Sequence, residues 1–390
     1  MSIRFEKDLL HNYVEIELQY FLRPFNVMQS LFFQSKYRIV DNFILPNTLF
    51  KNIMSFVVSV LCALSFIYTI ISVWQNTHAT SFHALVTSVY LSYNIYGILI
   101  GSVLIIWLSD RNIEFVLKIQ DLIKILEFNK CFLIEYAFIN SIIMAAIFIL
   151  NFLLYGYFVV HLQKFALGLT FSAIVCILNQ DLDIIYVIIF ANILKKCASR
   201  WTVEARQKNN FNDQGKWVKL FNAFLNLTES YQLYQKIFEF YELLRRVGIV
   251  FLGLQLTVCR VCSNDIKSIQ CTVMLHAFQL ICVWIVKKFI TLSILSFEME
   301  IFYEKLREIE TVCIILVSSD NPSERELKIW KNIIRVSSCS VRKTTACGLC
   351  EVGAALPQWL LQATTAYTIV LLQFHITTFS RATNDIYDLD

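Results

Sequence analysis

Two carboxylates, Asp181 and Asp183, are the only acids deep inside an apolar run of this 390-residue chain. An ionised carboxylate at a bilayer centre costs roughly 2.5–3.5 kcal/mol. An acid held there binds an ion or ligand, or has a basic partner. Depth bears on the choice. Asp181 lies 15 residues beyond Ala166, about 22 Å along a helix, so both acids approach the far interface. Basic residues beyond that interface are within reach, which favours structural pairing over ion or ligand binding.

A second set has the chemistry of a small-molecule pocket. Tyr90, Tyr93, Tyr96, Tyr155, Tyr157, Gln255, His276 and Gln279 fall in the halves of the apolar runs that the charge distribution places outside. Rings with a few amides or an imidazole suit a small, partly apolar organic ligand. Aromatic residues also gather at membrane interfaces without binding anything.

Other chemistry finds no foothold. Most of the twelve cysteines are isolated within apolar runs, where they act as small apolar side chains. Cys347 and Cys350 form a CxxC, but a zinc site needs two further ligands nearby and the sequence offers none. Cys262 and Cys271 flank a short outer loop, as a disulfide or as two thiols. No metal-hydrolase, nucleotide-loop or nucleophile-elbow motif occurs. An enzymatic reading has nothing to attach to, and no cofactor is expected.

The elements that position these residues are membrane helices. Apolar residues make up 57 % of the chain and charged residues 16 %, against about 25 % charged in soluble domains. No Asp, Glu, Lys or Arg occurs from Asn52 to Ser109. A span takes about 20 helical residues, so this block holds two, separated by the polar break Gln75–Ser81. Unpaired peptide groups in hydrocarbon restrict the spans to helices or closed barrels, and continuous apolar runs exclude the two-residue alternation of a barrel. The first run follows a mixed-charge stretch with no visible signal peptide, so it is expected to remain as a signal anchor. The net charge of +4 is dispersed and offers no basic tract for nucleic acid.

Windowed hydropathy predicts seven spans: Asn52–Trp74, Ala84–Leu108, Tyr136–Val160, Ala166–Leu194, Val247–Cys259, Gln270–Val286 and Gln358–Ser380. Lys and Arg divide 30 to 4 between alternate sides of these spans. The positive side stays cytoplasmic, so the N-terminus is expected inside and the C-terminus outside. The large basic loops read as helices. Val218, Phe221, Phe224, Leu225, Tyr231, Tyr234, Ile237 and Phe238 recur at helical spacing, Phe297–Val317 is amphipathic, and Ser323 with Glu326 forms a capping box. The expected fold is an all-α membrane protein whose helices four to six extend into a cytoplasmic bundle that holds subunits together. Its expected parts are a cytoplasmic N-terminal segment (1–51), spans one to four (52–194), a cytoplasmic helical loop (195–246) and spans five and six (247–296). Cytoplasmic anchor helices (297–357), the last span (358–380) and an outer tail (381–390) follow.

The end of the last span, Ala366 and Tyr367 through Gln373 and Phe374, resembles the TYhhhhhQF signature (h, hydrophobic) of insect gustatory receptors, with Ala366 where that family usually has Thr. Thr345, Ala346, Cys347 and Gly348 resemble its TACG-like element, and Leu22, Arg23, Pro24 and Phe25 its N-terminal RP element. The resemblance implies a member of the seven-transmembrane insect chemoreceptor superfamily. It implies a tastant-gated, non-selective cation channel assembled as a homo- or hetero-tetramer with other gustatory receptor subunits. The implied setting is the plasma membrane of sensory dendrites, and the implied partners are a small organic tastant and the lipid bilayer. Thr368 follows Tyr367 where the sugar-responsive branch commonly has Glu, which points to bitter or repellent compounds. An odorant-receptor-like subunit shares the inverted topology without the usual QF ending. A transporter would be expected to show internal repeats and broken helices.

In such a tetramer the last span would present one stripe to a central axis: Ala366, Ile369 or Val370, Gln373 and Thr377, spaced at three to four residues. The Gln373 amide would form a polar ring able to coordinate a partly hydrated cation, or would hydrogen-bond a neighbouring helix. Tyr367 projects to a different face.

Overall fold

Short helices and a hairpin fold where mixed charge obscures apolar periodicity. The computed structural model describes residues 12–75, 81–162, 167–207, 214–263, 269–318, 323–340, 342–345, 351–366, 369–370 and 373. Within these, the side chains of 81–83, 85–86, 130, 155, 158–162, 167–170, 214, 240–263, 269–281 and 340 are not described. The N-terminal stretch forms α1 (Ile16–Leu31), then β1 (Arg38–Val40) paired antiparallel with β2 (Phe43–Leu45). The hairpin turns through Asp41 and Asn42 at φ 50° and 68°, the two left-handed positions of a tight turn that Asp and Asn tolerate.

Long helices follow: α2 (Leu49–Gln75), α3 (Ser81–Trp107), the shorter α4 (Ser109–Ile125), α5 (Lys130–Leu162) and α6 (Leu167–Arg206). Next come α7 (Gln214–Ser263), α8 (Ile269–Val317), α9 (Glu324–Ser340) and a final helix over 356–366, with residues 369, 370 and 373 also helical. Among the described residues four helices are long and apolar enough to cross a membrane, within α2, α3, α5 and α6. The periodic Trp217–Tyr241 segment and the expected fifth span fall on one helix, α7. The expected sixth span and the amphipathic Phe297–Val317 segment fall on another, α8.

The centre is α6. It is apolar on all sides, and a helix of that kind is stable only when surrounded. Its span-length window is 72 % buried, and it packs against α1, α2, α5, α7 and α8. Near its middle Tyr186 and Phe190 meet Phe25 of α1, Phe115 of α4 and Phe238 of α7. Centroid separations of 4.6–5.9 Å are the tilted and edge-on contacts aromatic rings prefer, each adding about 0.5–1.5 kcal/mol beyond buried area. Further along, Trp201 donates its indole N–H to the Leu220 carbonyl at 2.7 Å, tying α6 to α7. The Ser323–Glu326 capping box opens α9: Glu326 accepts from Ser323 N at 3.0 Å, and Ser323 Oγ accepts from Glu326 N at 3.3 Å. Trp330 on its apolar face packs edge-on against Trp217 of α7 at 5.1 Å.

Candidate functional site

Asp181 and Asp183 stand two residues apart on α6, which turns them to nearly opposite sides. Each has found a lysine. Lys287 of α8 donates to Asp181 Oδ2 at 2.5 Å and to Asn151 Oδ1 of α5 at 2.8 Å. Asn151 Nδ2 in turn donates to Asp181 Oδ2 at 2.9 Å. Three helices therefore close a ring of charge-assisted hydrogen bonds, with the Asp181 and Lys287 side chains only 8 % and 12 % exposed. On the other side, Lys36, from the loop after α1, reaches Asp183 at 2.5 Å and lies over the Tyr186 ring. Both acids are paired, as their depth suggested. The partner of Asp183 comes from the N-terminal segment.

Lys288, one residue on from Lys287, is turned by about 100° and donates to Gln180 Oε1 at 2.6 Å. Gln180 Nε2 contacts Cys176 Sγ at 3.5 Å, and Cys176 contacts Asn94 Oδ1 of α3 at 3.5 Å. Beside this chain α3, α6 and α8 leave a small cavity lined by Tyr90, Tyr93, Asn94, Ile177, Gln180, Trp284 and Lys288. Its free space is about 10 Å³, room for about one water. Aromatic walls, two amides and an ammonium group are the inventory that orients a small organic molecule bearing an acceptor. Such a ligand would have to displace side chains to enter.

Of the eight pocket candidates, Tyr90 and Tyr93 line this cavity. Tyr96, 67 % exposed, and Tyr157, also exposed, lie outside its lining. The side chains of Tyr155, Gln255, His276 and Gln279, and of Cys262 and Cys271, fall outside the described residues. Sequence reasoning passed over Asn94, Asn151, Gln180, Trp284 and Lys288. A signal existed in the amides within apolar runs and in the lysine pair closing the sixth.

A second constellation joins α7 and α8 to the segment before the final helix. Tyr231 of α7 donates to the Arg342 carbonyl at 2.5 Å, and Gln235 to the same oxygen at 2.8 Å. The Tyr303 hydroxyl of α8 accepts from Thr344 N at 2.9 Å, and Val352 N donates to the Thr344 carbonyl at 2.7 Å. Glu300, one turn before Tyr303, accepts from Lys343 Nζ at 3.2 Å and Ala354 N at 3.3 Å. Burial pulls the Glu300 carboxyl upward, but the hydrogen bonds from Lys343 and Ala354 and the charges of Lys343 and Arg307 prevail and hold it below 4.5. Burial raises both the Tyr231 and Tyr303 phenols, so neither ionises at neutral pH.

On the final helix Ala366, Ile369, Val370 and Gln373 are all exposed in the single chain. Thr377, Tyr367 and Phe374, and the upstream Ala346, Cys347 and Gly348, lie outside the described residues. No group of three or more potential metal ligands occurs among the described residues.

No protein-family model and no curated protein matches the sequence. Among solved structures, the insect olfactory receptor OR5 from Machilis hrabei, in complex with eugenol, superposes with a TM-score of 0.62 at 12 % identity. The match covers 92 % of this chain and 99 % of that one. The chain thus has the fold of an insect chemoreceptor over nearly its whole length.

Proposed function

We propose that the protein is a chemoreceptor channel of the gustatory type: a tetramer, gated by a small organic compound and passing cations without strong selectivity. One observation carries the reading. The single helix α8 supplies Trp284 and Lys288 to the cavity and Glu300 and Tyr303 to the segment before the final helix. Lys288 and Glu300 are 12 residues apart, about 18 Å along one rigid element. A ligand that displaces Trp284 or Lys288 would shift α8 and, through it, the joint on which the final helix stands. The exposed stripe of Ala366, Ile369, Val370 and Gln373 would meet its copies around the axis. Thr377 would continue it, with the Gln373 amide as the polar ring.

The gustatory assignment rests on the TYhhhhhQF-like ending, and the bitter or repellent class on Thr368 after Tyr367. An olfactory-type subunit is the second reading, favoured by the fold match to a receptor solved with eugenol. Expression in a cell without endogenous receptors, with patch recording during perfusion of eugenol and a panel of bitter aromatic compounds, separates them. Cation currents independent of G-protein signalling support the channel. A Lys288→Met variant is expected to shift the dose–response curve at least severalfold while surface abundance holds. Currents that require a G protein would end this reading.

A further inference from the structure

Helix α1 is apolar on two sides. Leu18, Phe21, Leu22 and Phe25 are fully buried in the core. On the opposite side Ile16, Tyr20, Val27 and Leu31 are each more than half exposed. At 100° per residue these four fall within about 60° of one another, with Arg23 beside them. A helix exposing an apolar stripe that carries one basic residue is suited to lie in the headgroup boundary of a bilayer.

Beside this stripe α1 and the first half of α5 enclose a groove of about 750 Å³, within the range of about 300–1,000 Å³ that holds small ligands. Its walls are apolar: Val27 from α1, and Phe138 and Ala145 from α5, are typical. Arg23, Ser141 and the Tyr20 hydroxyl supply its polar groups, and no carboxylate lines it. The α5 wall belongs to a membrane-length helix whose apolar window is only 17 % buried by the rest of the chain. Phe138 is 68 % exposed there. The groove therefore opens sideways toward hydrocarbon, where a soluble tastant is scarce and acyl chains abound. With the N-terminus cytoplasmic, as the basic residues imply, it lies at the inner leaflet, which carries the anionic lipids.

We infer that the α1–α5 groove is a phospholipid site. An acyl chain lies between Val27 and Phe138, and the Arg23 guanidinium pairs with the headgroup of an anionic lipid. Arg23 is exposed, and its aliphatic stem can follow the apolar wall while the charge reaches headgroup level. The site is distinct from the Tyr90–Lys288 cavity and shares no residue with it.

The test uses the full chain in nanodiscs of phosphatidylcholine with and without phosphatidylserine. A photoreactive phenylalanine analogue replaces Phe138, and adducts are identified by mass. Lipid adducts enriched in phosphatidylserine above its share of the bilayer are expected. Arg23→Gln should lower that enrichment about fivefold, the effect of one basic residue at an anionic surface, without abolishing lipid labelling. Ser141→Trp, which plugs the groove, should reduce adducts of both lipids. Should Arg23→Gln fail to fold, the wild-type enrichment and its loss in Ser141→Trp decide the matter. Labelling in proportion to bulk lipid, enrichment unchanged by Arg23→Gln, or crosslinking chiefly to a second copy of the chain would each overturn the proposal.

Discussion

The ring of Asp181, Asn151 and Lys287 holds an ion pair where neither charge can be left alone. Removing one partner of a buried pair costs about 3–5 kcal/mol, whereas replacing both by apolar groups is often neutral. Asp181→Ala is therefore expected to lower the melting temperature of the purified protein sharply. Asp181→Leu combined with Lys287→Met should recover most of the loss, since Asn151 keeps its 2.9 Å bond to the Ile147 carbonyl. A double variant as unstable as the single one would mean that the charges serve more than each other. Glu300 gives a pH signature. Its carboxyl is held below its ordinary 4.5, so its contribution is full above about pH 4.5 and is lost as pH falls through the lower folded value. Protection of the amides in residues 342–354 against hydrogen exchange, taken relative to the intrinsic rate at each pH, should fall on acidification through that range. Glu300→Gln should exchange faster at neutral pH and lose the acid step.

Among the elements, α8 links the cavity to the joint, and Gly353 shows how closely the joint is fitted. A Cβ at Gly353 would come within 2.8 Å of Glu300 Oε2, so Gly353→Ala must displace the carboxylate that holds Lys343 and Ala354. The expected result is a shifted resting open probability in patch recordings, with helix content unchanged by circular dichroism. The capping box of α9 is more local, and Ser323→Ala should cost about 1 kcal/mol. That box was legible in sequence because it lies within four residues, as was the helical spacing from Val218 to Phe238. Helices α1 and α4 were not anticipated. Their buried residues, such as Ile113, Val116 and Ile119 of α4, recur at helical spacing, but interleaved charges hide them from a window tuned to membrane spans. The acids of the site were legible for a related reason, since charge stands out in an apolar run. Their partners were not, because Lys36 lies 147 residues from Asp183 and Lys287 lies 106 from Asp181. Only the packing of α5, α6 and α8 with the N-terminal loop brings them together.

For the whole molecule, the sequence carries direction and the fold carries connection. The 30-to-4 division of basic residues gives the expected orientation, with the C-terminus outside. The long α7 and α8 join expected membrane and cytoplasmic segments without interruption. The central claim is that four final helices meet around an ion path with Gln373 at its polar ring. Reversal potentials of ligand-evoked currents, measured with sodium on one side and calcium on the other, test it most directly. Gln373→Glu would place a ring of four carboxylates in that path and should move the reversal potential toward higher calcium permeability, with surface abundance unchanged. A reversal potential identical to wild type, in a variant that still opens, would contradict the account.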